Sequence, residues 1–270
     1  MKKIINLVER IMLIVKNIKR DHIGSFAAFS SFFLVLSFFP MIFLIITLIK
    51  LSSNNAEKFI NIIYNILPYI NKDYINAIFN DFNFKPSSVI SLSTVFTAWS
   101  AGKSFYALSE GFHSILDVNE TRSYLTLRIR YLIFAFSFAV LISVLFFIGV
   151  FGGEIRLVPS YSYIMIGLQK LFFVITIFII LSLLYVFLPA KNILLNKLSL
   201  KNHLIASGLS SVLIYVYTVL FSLFAGIYIK YSSFYGGIAA FTTAMLWIYG
   251  SMYIILLGFR FSVFLSQKNN

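Results

Sequence analysis

The sequence contains no cysteine and few charged residues, since only 11% of its 270 residues are Asp, Glu, Lys or Arg. The missing thiols exclude structural disulfides, thiolate metal sites and cysteine catalysis. The hydrophobic fraction is 60%, far more apolar surface than a soluble domain of this length needs. Because apolar runs of about 20 residues recur along the chain, the composition predicts an all-α, polytopic membrane protein.

Acidic residues are the scarcest charged type, with 9 Asp and Glu against 22 Lys and Arg, and none follows Glu154. Coupling to protons or sodium usually uses a carboxylate within the membrane, so the chain after Glu154 supplies none, and only Glu110, with Lys103 as a partner, could serve. This disfavours a carboxylate-relay antiporter. The net charge of +13 is attributed to cytoplasmic loops held against anionic headgroups rather than to nucleic-acid binding.

Metal ligands and phosphate-binding loops are also missing from the sequence. The three histidines, His22, His113 and His203, show neither H-x-H nor H-E-x-x-H spacing, which a metal-dependent nuclease or protease would need. No glycine-rich loop precedes a Lys-Ser or Lys-Thr pair. The sequence therefore predicts no catalytic residue, no metal, no cofactor and no nucleic-acid partner.

Six apolar segments are long enough to cross a bilayer, about 20 residues each at 1.5 Å rise per residue. They are predicted at 24–49, 88–112, 131–151, 170–189, 203–229 and 236–265, within a membrane domain of residues 23–266. Pro40 lies inside the first span, where it removes a backbone hydrogen bond and clashes with the carbonyl of Leu36. We expect an ordinary proline kink, with Ser37 available to bond the freed carbonyls.

Two further segments have amphipathic patterns. Residues 1–22 alternate apolar and basic residues with helical period, which predicts a helix in the membrane interface that contacts anionic lipids. Packing of this helix against the cytoplasmic ends of the bundle is also compatible with the pattern. Residues 56–84 carry two apolar stripes and are predicted as a pair of outer helices, capping a cavity or only connecting two spans.

The distribution of basic residues predicts the orientation. The N-terminal arm, the loops after spans two and four, and the C-terminal end together hold 14 Lys and Arg, against seven on the opposite side. The positive-inside rule then places both termini in the cytoplasm of a multi-pass protein of the cell (inner) membrane. Residues 267–270 form the cytoplasmic tail, and the lipid bilayer is the expected partner.

The second span, between Ser88 and His113, differs from the others because it carries two charged residues. Lys103 and Glu110 are seven residues apart and point the same way along a helix. A charge at the bilayer centre costs about 2.5–3.5 kcal/mol on insertion scales, so we expect this helix to lie inside the bundle. Alternatively, Lys103 snorkels to the headgroups and Glu110 lies in the cytoplasm. Close packing is favoured by small residues at Ala98, Ala101, Gly102, Ala107 and Gly111.

Three stretches together resemble the YihY/virulence factor BrkB family of integral membrane proteins. They are AAFSSFFLVLSFFP at 27–40, TVFTAWSAGKSFYALSEGFHSIL at 94–116, and LP at 188–189 followed by YSSFYGGIAAFTTAMLWIYGSMYIILLG at 231–258. The family positions include Pro40, Trp99, Tyr235, Gly236, Gly237, Trp247 and Gly258. Where the family commonly has a small residue and a glutamate after the last glycine, this chain has Phe259 and Arg260, so no role of that acid carries over.

The function expected from these observations is binding or translocation of an amphipathic or anionic substrate such as a lipid, without covalent chemistry. Candidate substrate contacts are Lys103, Glu110 and Arg260. The alternative is a membrane scaffold or envelope-integrity protein without transport. Some members of the family carry a ribonuclease label, which the missing metal ligands of this sequence disfavour.

Overall fold

The computed structural model describes residues 18–51, 86–118, 122–123, 126–137, 162–189, 199–231 and 236–268, and all regular structure within these ranges is helical. Residues 18–20 are helical and lead through a turn into the first long helix. The helices are α1 (Ile23–Leu51), α2 (Pro86–Leu116), α3 (described over 126–137), α4 (Ser162–Phe187), α5 (Leu200–Tyr231) and α6 (Gly236–Lys268). The predicted all-α class is confirmed for this part of the chain.

Four of the described helices contain a segment that is long and apolar enough to cross a membrane. These segments are Ile23–Met41, Lys170–Phe187, Leu200–Gly226 and Phe241–Gln267. The polar and charged residues of α2 lower its hydropathy, so its crossing stays a prediction, as does that of α3. The predicted helices at 56–84, most of 1–22 and part of 131–151 lie outside the described residues.

Each long helix extends past the predicted apolar segment. Helix α4 begins at Ser162 rather than at residue 170, and α2 runs to Leu116 rather than ending at residue 112. Backbone hydrogen bonding continues into the interface after the apolar run has stopped, so hydropathy alone underestimates helix length.

The chain divides into two compact units, of which the smaller is Phe33–Gly102. Within it, Trp99 packs edge-on against Phe33 at a centroid distance of 5.7 Å and lies 5.5 Å from the Phe96 ring. Pro40 lies inside α1. The Ser37 hydroxyl donates to the Leu34 carbonyl at 2.6 Å rather than to the Leu36 carbonyl that Pro40 leaves without its helical donor.

The larger unit comprises Met1–Phe32 and Lys103–Asn270, and in it α5 packs against both α4 and α6. The Tyr185 hydroxyl of α4 donates to the Ile255 carbonyl of α6 at 2.8 Å and lies 3.1 Å from the Ser210 hydroxyl of α5. A Cβ at Gly258 would lie 1.8 Å from Ser210 Oγ and 2.4 Å from Tyr185 Oη. Glycine is therefore required where these three helices meet.

The start of α1 packs tightly against α2 in the same unit. The Ser30 and Ser104 hydroxyls each bond the other residue's carbonyl, at 3.0 and 2.8 Å. A Cβ at Gly111 would lie 2.7 Å from the Leu256 side chain and 3.1 Å from that of Phe26, so this glycine admits α1 and α6 together. The predicted burial of the second span holds for residues 104–115, most of which are buried, but not for 88–99, which are mostly exposed or half-buried.

Candidate functional site

One face of α2 carries four polar residues at helical spacing, namely Lys103, Tyr106, Glu110 and Ser114, and Asp117 follows them in the turn after the helix. Residues three or four positions apart lie on the same side of a helix, and we call these five residues the polar stripe. The first four are half-buried and Asp117 is exposed, whereas most of the residues between them are buried. At 1.5 Å rise per residue the helical part of the stripe, from Lys103 to Ser114, is about 17 Å long.

Lys103 and Glu110 of the polar stripe both interact with Tyr106. The Lys103 ammonium lies 5.5 Å from the centroid of the Tyr106 ring, within the range of a cation–π contact. The Glu110 carboxylate acts electrostatically on the Tyr106 hydroxyl. Tyr106 in turn packs edge-on against Tyr131 of α3 at 5.9 Å. Lys103 and Glu110 therefore share one face as predicted, with an aromatic ring between them.

A buried ion pair lies at the end of the polar stripe. The Asp21 side chain is 1% exposed, and its Oδ2 lies 3.2 Å from Nε of Arg260, which is 17% exposed. The more exposed Arg20 donates from Nε to the other carboxylate oxygen at 3.0 Å. Arg260 also donates from Nη1 to the Ile115 carbonyl at 3.2 Å, and Ser114 Oγ donates to the Asp21 carbonyl at 3.0 Å. These bonds join the start of α1, the end of α2 and the last third of α6.

Two left-handed turns bring these groups together. His22 has a φ of 50° and Asp117 a φ of 54°, values that cost a non-glycine residue about 1–2 kcal/mol. After α2, the Asp117 and Val118 amides donate to the Ser114 and His113 carbonyls at 3.3 and 3.2 Å, which satisfies the last carbonyls of the helix. The helical segment 18–20 and helix α2 each end at one of these turns, and the two turns lie side by side. This arrangement places Ser114 against the backbone of Asp21.

A polar cavity of about 260 Å³ opens between these two turns. It is lined by Arg20, Asp21, His113, Ser114, Asp117 and Val118. With both acidic and basic groups in its wall, the cavity suits a small polar group rather than a hydrocarbon chain. It lies at the end of α2 that the basic-residue distribution predicts to face the cytoplasm.

A second cavity, of about 170 Å³, lies between α2, α3 and α4 and has an almost entirely apolar wall. We call it the apolar crevice, and its lining residues are Phe105, Ile133, Phe134, Ser137, Ile180, Leu183, Leu184 and Phe187. Its floor is buried, while Ile133, Leu183 and Phe187 at its edges are exposed. Phe105 directly precedes Tyr106, so the apolar crevice and the polar stripe lie on adjacent sides of α2.

Two arginines bind the carbonyl end of α4, next to the apolar crevice. Arg130 donates from Nη2 to the carbonyl of Phe187, and Arg122 donates from Nη2 to the carbonyl of Leu188 at 3.4 Å. A cation at a helix C-terminus is stabilised by the partial negative charge of the last carbonyls. The two guanidinium groups thus place positive charge where the apolar crevice ends at Phe187.

Arg260, predicted as a substrate contact, is in the structure the partner of Asp21, and neither it nor Lys103 lines either cavity. Trp247 bonds the Thr218 hydroxyl at 3.3 Å, and Gly236 and Gly237 begin α6. Phe259, the departure from the family pattern, is buried and stacks on Phe112 at 4.1 Å. Tyr235 lies outside the described residues.

Sequence reasoning missed Asp21 and Ser114 as members of a site. The signal for Asp21 was present, because a charged residue such as Arg260 within a predicted span requires a partner. Only nine acids exist in the chain, and Asp21 immediately precedes the first span. Ser114 gave no such signal, because its role depends on the turn at His22.

Two comparisons with known proteins gave matches over most of the chain. The family model described as "Virulence factor BrkB" matches residues 14–270. A Bacillus subtilis (strain 168) protein, YfkH, whose name describes it provisionally as ribonuclease-like, is 26% identical over 253 residues, which cover 88% of each chain. No solved structure matches the chain.

Proposed function

Since the chain belongs to the virulence factor BrkB family of membrane proteins, we propose that it binds and translocates an amphipathic anionic substrate such as a lipid. The observation that carries this proposal is the polar stripe. Four half-buried polar residues of α2 lie in line beside buried residues and lead to a polar cavity at the helix end. Such a line of polar residues can contact a charged headgroup along the helix. Passing the same headgroup over an apolar surface would cost several kcal/mol in lost hydration.

The proposal does not include covalent chemistry, although the name of YfkH describes that protein as ribonuclease-like. Within the described residues, no group of three or more His, Cys, Asp or Glu side chains is placed to hold a metal ion. The arginines at the site contact protein groups, as Arg260 does with Asp21 and Arg130 with the Phe187 carbonyl. The contact with Asp21 explains the burial of Arg260 without a nucleic-acid partner.

Lipid flux in liposomes tests the proposal. Purified protein is reconstituted with a fluorescent phosphatidylglycerol, and the fraction that dithionite bleaches reports movement between leaflets. We expect wild-type liposomes to bleach beyond the outer-leaflet fraction, and Lys103→Ala to slow this movement several-fold. The expected loss follows from removal of the stripe's one cation, worth about 1 kcal/mol to an anionic headgroup.

The matched control is Lys201→Ala, which removes an equal charge from an exposed position at the start of α5. Both variants should insert and stay monodisperse in detergent. Normal flux in Lys103→Ala would remove this residue from the mechanism. A wild-type protein that moves no anionic or zwitterionic lipid would contradict the transport proposal and favour the scaffold alternative.

A further inference from the structure

We propose that the apolar crevice is a binding site for one acyl chain of an anionic glycerophospholipid, with the lipid phosphate at the arginines that cap α4. This inference rests on the proposed function and names the place where its substrate class enters the protein. The crevice residues and the arginines belong to the larger compact unit. The argument uses the wall of the crevice, its size and the charge at its end.

The wall of the crevice selects hydrocarbon. Seven of its eight lining residues are aliphatic or aromatic, and the single hydroxyl is that of Ser137. Phe105 and Phe134 stack across it at a centroid distance of 6.2 Å, so aromatic faces from α2 and α3 form part of one side. Because an acyl chain already lies in hydrocarbon, the crevice binds it by van der Waals packing rather than by removing it from water. A polar ligand would find only the Ser137 hydroxyl as a partner.

The size of the crevice fits part of a lipid only. Clefts that enclose drug-sized molecules measure about 300–1,000 Å³, whereas this one measures about 170 Å³. Its edge residues Ile133, Leu183 and Phe187 are exposed, so a chain can enter from the side of the bundle. One acyl chain therefore occupies the crevice while the rest of the lipid stays outside it.

The charge at one end of the crevice selects the headgroup. Phe187 contributes its side chain to the wall and its carbonyl to the Arg130 guanidinium, so the cation lies at the crevice end. Arg122 bonds the next carbonyl. Guanidinium groups bind phosphate with two parallel hydrogen bonds. The basic loops predict this end to be cytoplasmic, and the cytoplasmic leaflet is the one rich in anionic lipids.

Two pairs of variants separate the crevice from its surroundings. Leu183→Trp fills the crevice, and its control Ile179→Trp adds the same ring one turn earlier on α4, at a residue of similar exposure (47% against 43%) that does not line the crevice. Arg130→Gln removes the cation, and its control Arg128→Gln removes an equal charge from the same helix. Leu183→Trp leaves the caps of α4 in place, so it tests the site even where Arg130→Gln weakens the fold.

The experiment titrates dioleoyl phosphatidylglycerol or dioleoyl phosphatidylcholine into the delipidated full-length protein and measures the first bound lipid by native mass spectrometry. We expect Leu183→Trp to weaken both lipids about tenfold or more, because the indole ring occupies the volume that the acyl chain would fill. Arg130→Gln should weaken phosphatidylglycerol about fivefold and phosphatidylcholine less, since one cation near the surface is worth about that factor. Both control variants should bind as wild type does.

Equal affinity of Leu183→Trp and Ile179→Trp would overturn the acyl-chain site. An equal loss for both lipids in Arg130→Gln would overturn the assignment of the anionic headgroup. Flux in liposomes that is unchanged by Leu183→Trp would also count against the crevice while leaving the proposed function intact. Wild-type lipid binding with the predicted variant effects, but without flux, would instead refute transport and leave the lipid site standing.

Discussion

Breaking the ion pair between Asp21 and Arg260 should lower the free energy of unfolding more than removing any single exposed charge does. Asp21 is 1% exposed and Arg260 17%, so each loses most of its hydration and depends on the other for compensation. Removing one partner of a buried pair costs about 3–5 kcal/mol. We expect Asp21→Asn to cost about 3 kcal/mol, because Arg260 keeps its bond to the Ile115 carbonyl.

Arg20 provides the internal control, because it contacts the same carboxylate from a side chain that is 61% exposed. Exposed ion pairs contribute about 0–1 kcal/mol, so Arg20→Gln should have a small effect. The double variant Asp21→Asn with Arg260→Gln should be less destabilised than the sum of its single changes, with a coupling of about 1–3 kcal/mol. The double variant leaves neither a buried carboxylate nor a buried guanidinium without its partner.

Reversible unfolding in mixed micelles of dodecyl sulfate gives the free energies for this cycle, followed by far-UV circular dichroism. A cost for Asp21→Asn no larger than that of Arg20→Gln would refute the reasoning, since the buried contact would then carry no more free energy than the exposed one. Additivity in the double variant would show that Asp21 and Arg260 do not depend on each other.

Three further predictions concern packing and topology. Gly258→Ala should destabilise the protein by about 1–3 kcal/mol because the new methyl overlaps Ser210 Oγ, whereas Gly226→Ala, with no atom within 4 Å, should be neutral or stabilising in the same unfolding assay. Ser104→Ala loses the hydrogen bond to the Ser30 carbonyl and should cost about 0.6–1.7 kcal/mol, the range of interhelical hydrogen bonds in membranes. An unchanged free energy of unfolding would contradict a stabilising role for this bond. Cysteines placed at Lys2 and Lys268 should resist impermeant maleimide in intact cells and react after lysis, and labelling of either from outside would overturn the predicted orientation.

Much of the helical architecture was predictable from residue type alone. A run of apolar residues can satisfy its backbone in a bilayer only as a helix, and the apolar segments at 24–49, 170–189, 203–229 and 236–265 all lie largely within observed helices. The sequence also distinguished the second span from the others, because Lys103 and Glu110 interrupt its apolar residues. Seven-residue spacing placed both charges on one face without any knowledge of neighbouring helices.

The site depended on contacts that no local pattern contains. The pairing of Asp21 with Arg260 joins residues from the two ends of the sequence, and the left-handed turn at His22 that positions Asp21 follows from packing rather than from a glycine. Hydropathy likewise cannot distinguish Leu183, at the edge of the crevice, from Ile179, outside it, since both are apolar residues of α4. The sequence determined which segments are helical and apolar, because the free energy of placing a segment in a bilayer as a helix depends on the residues of that segment. Tertiary structure decided which polar groups meet and where a crevice opens, because those depend on how the helices pack against one another.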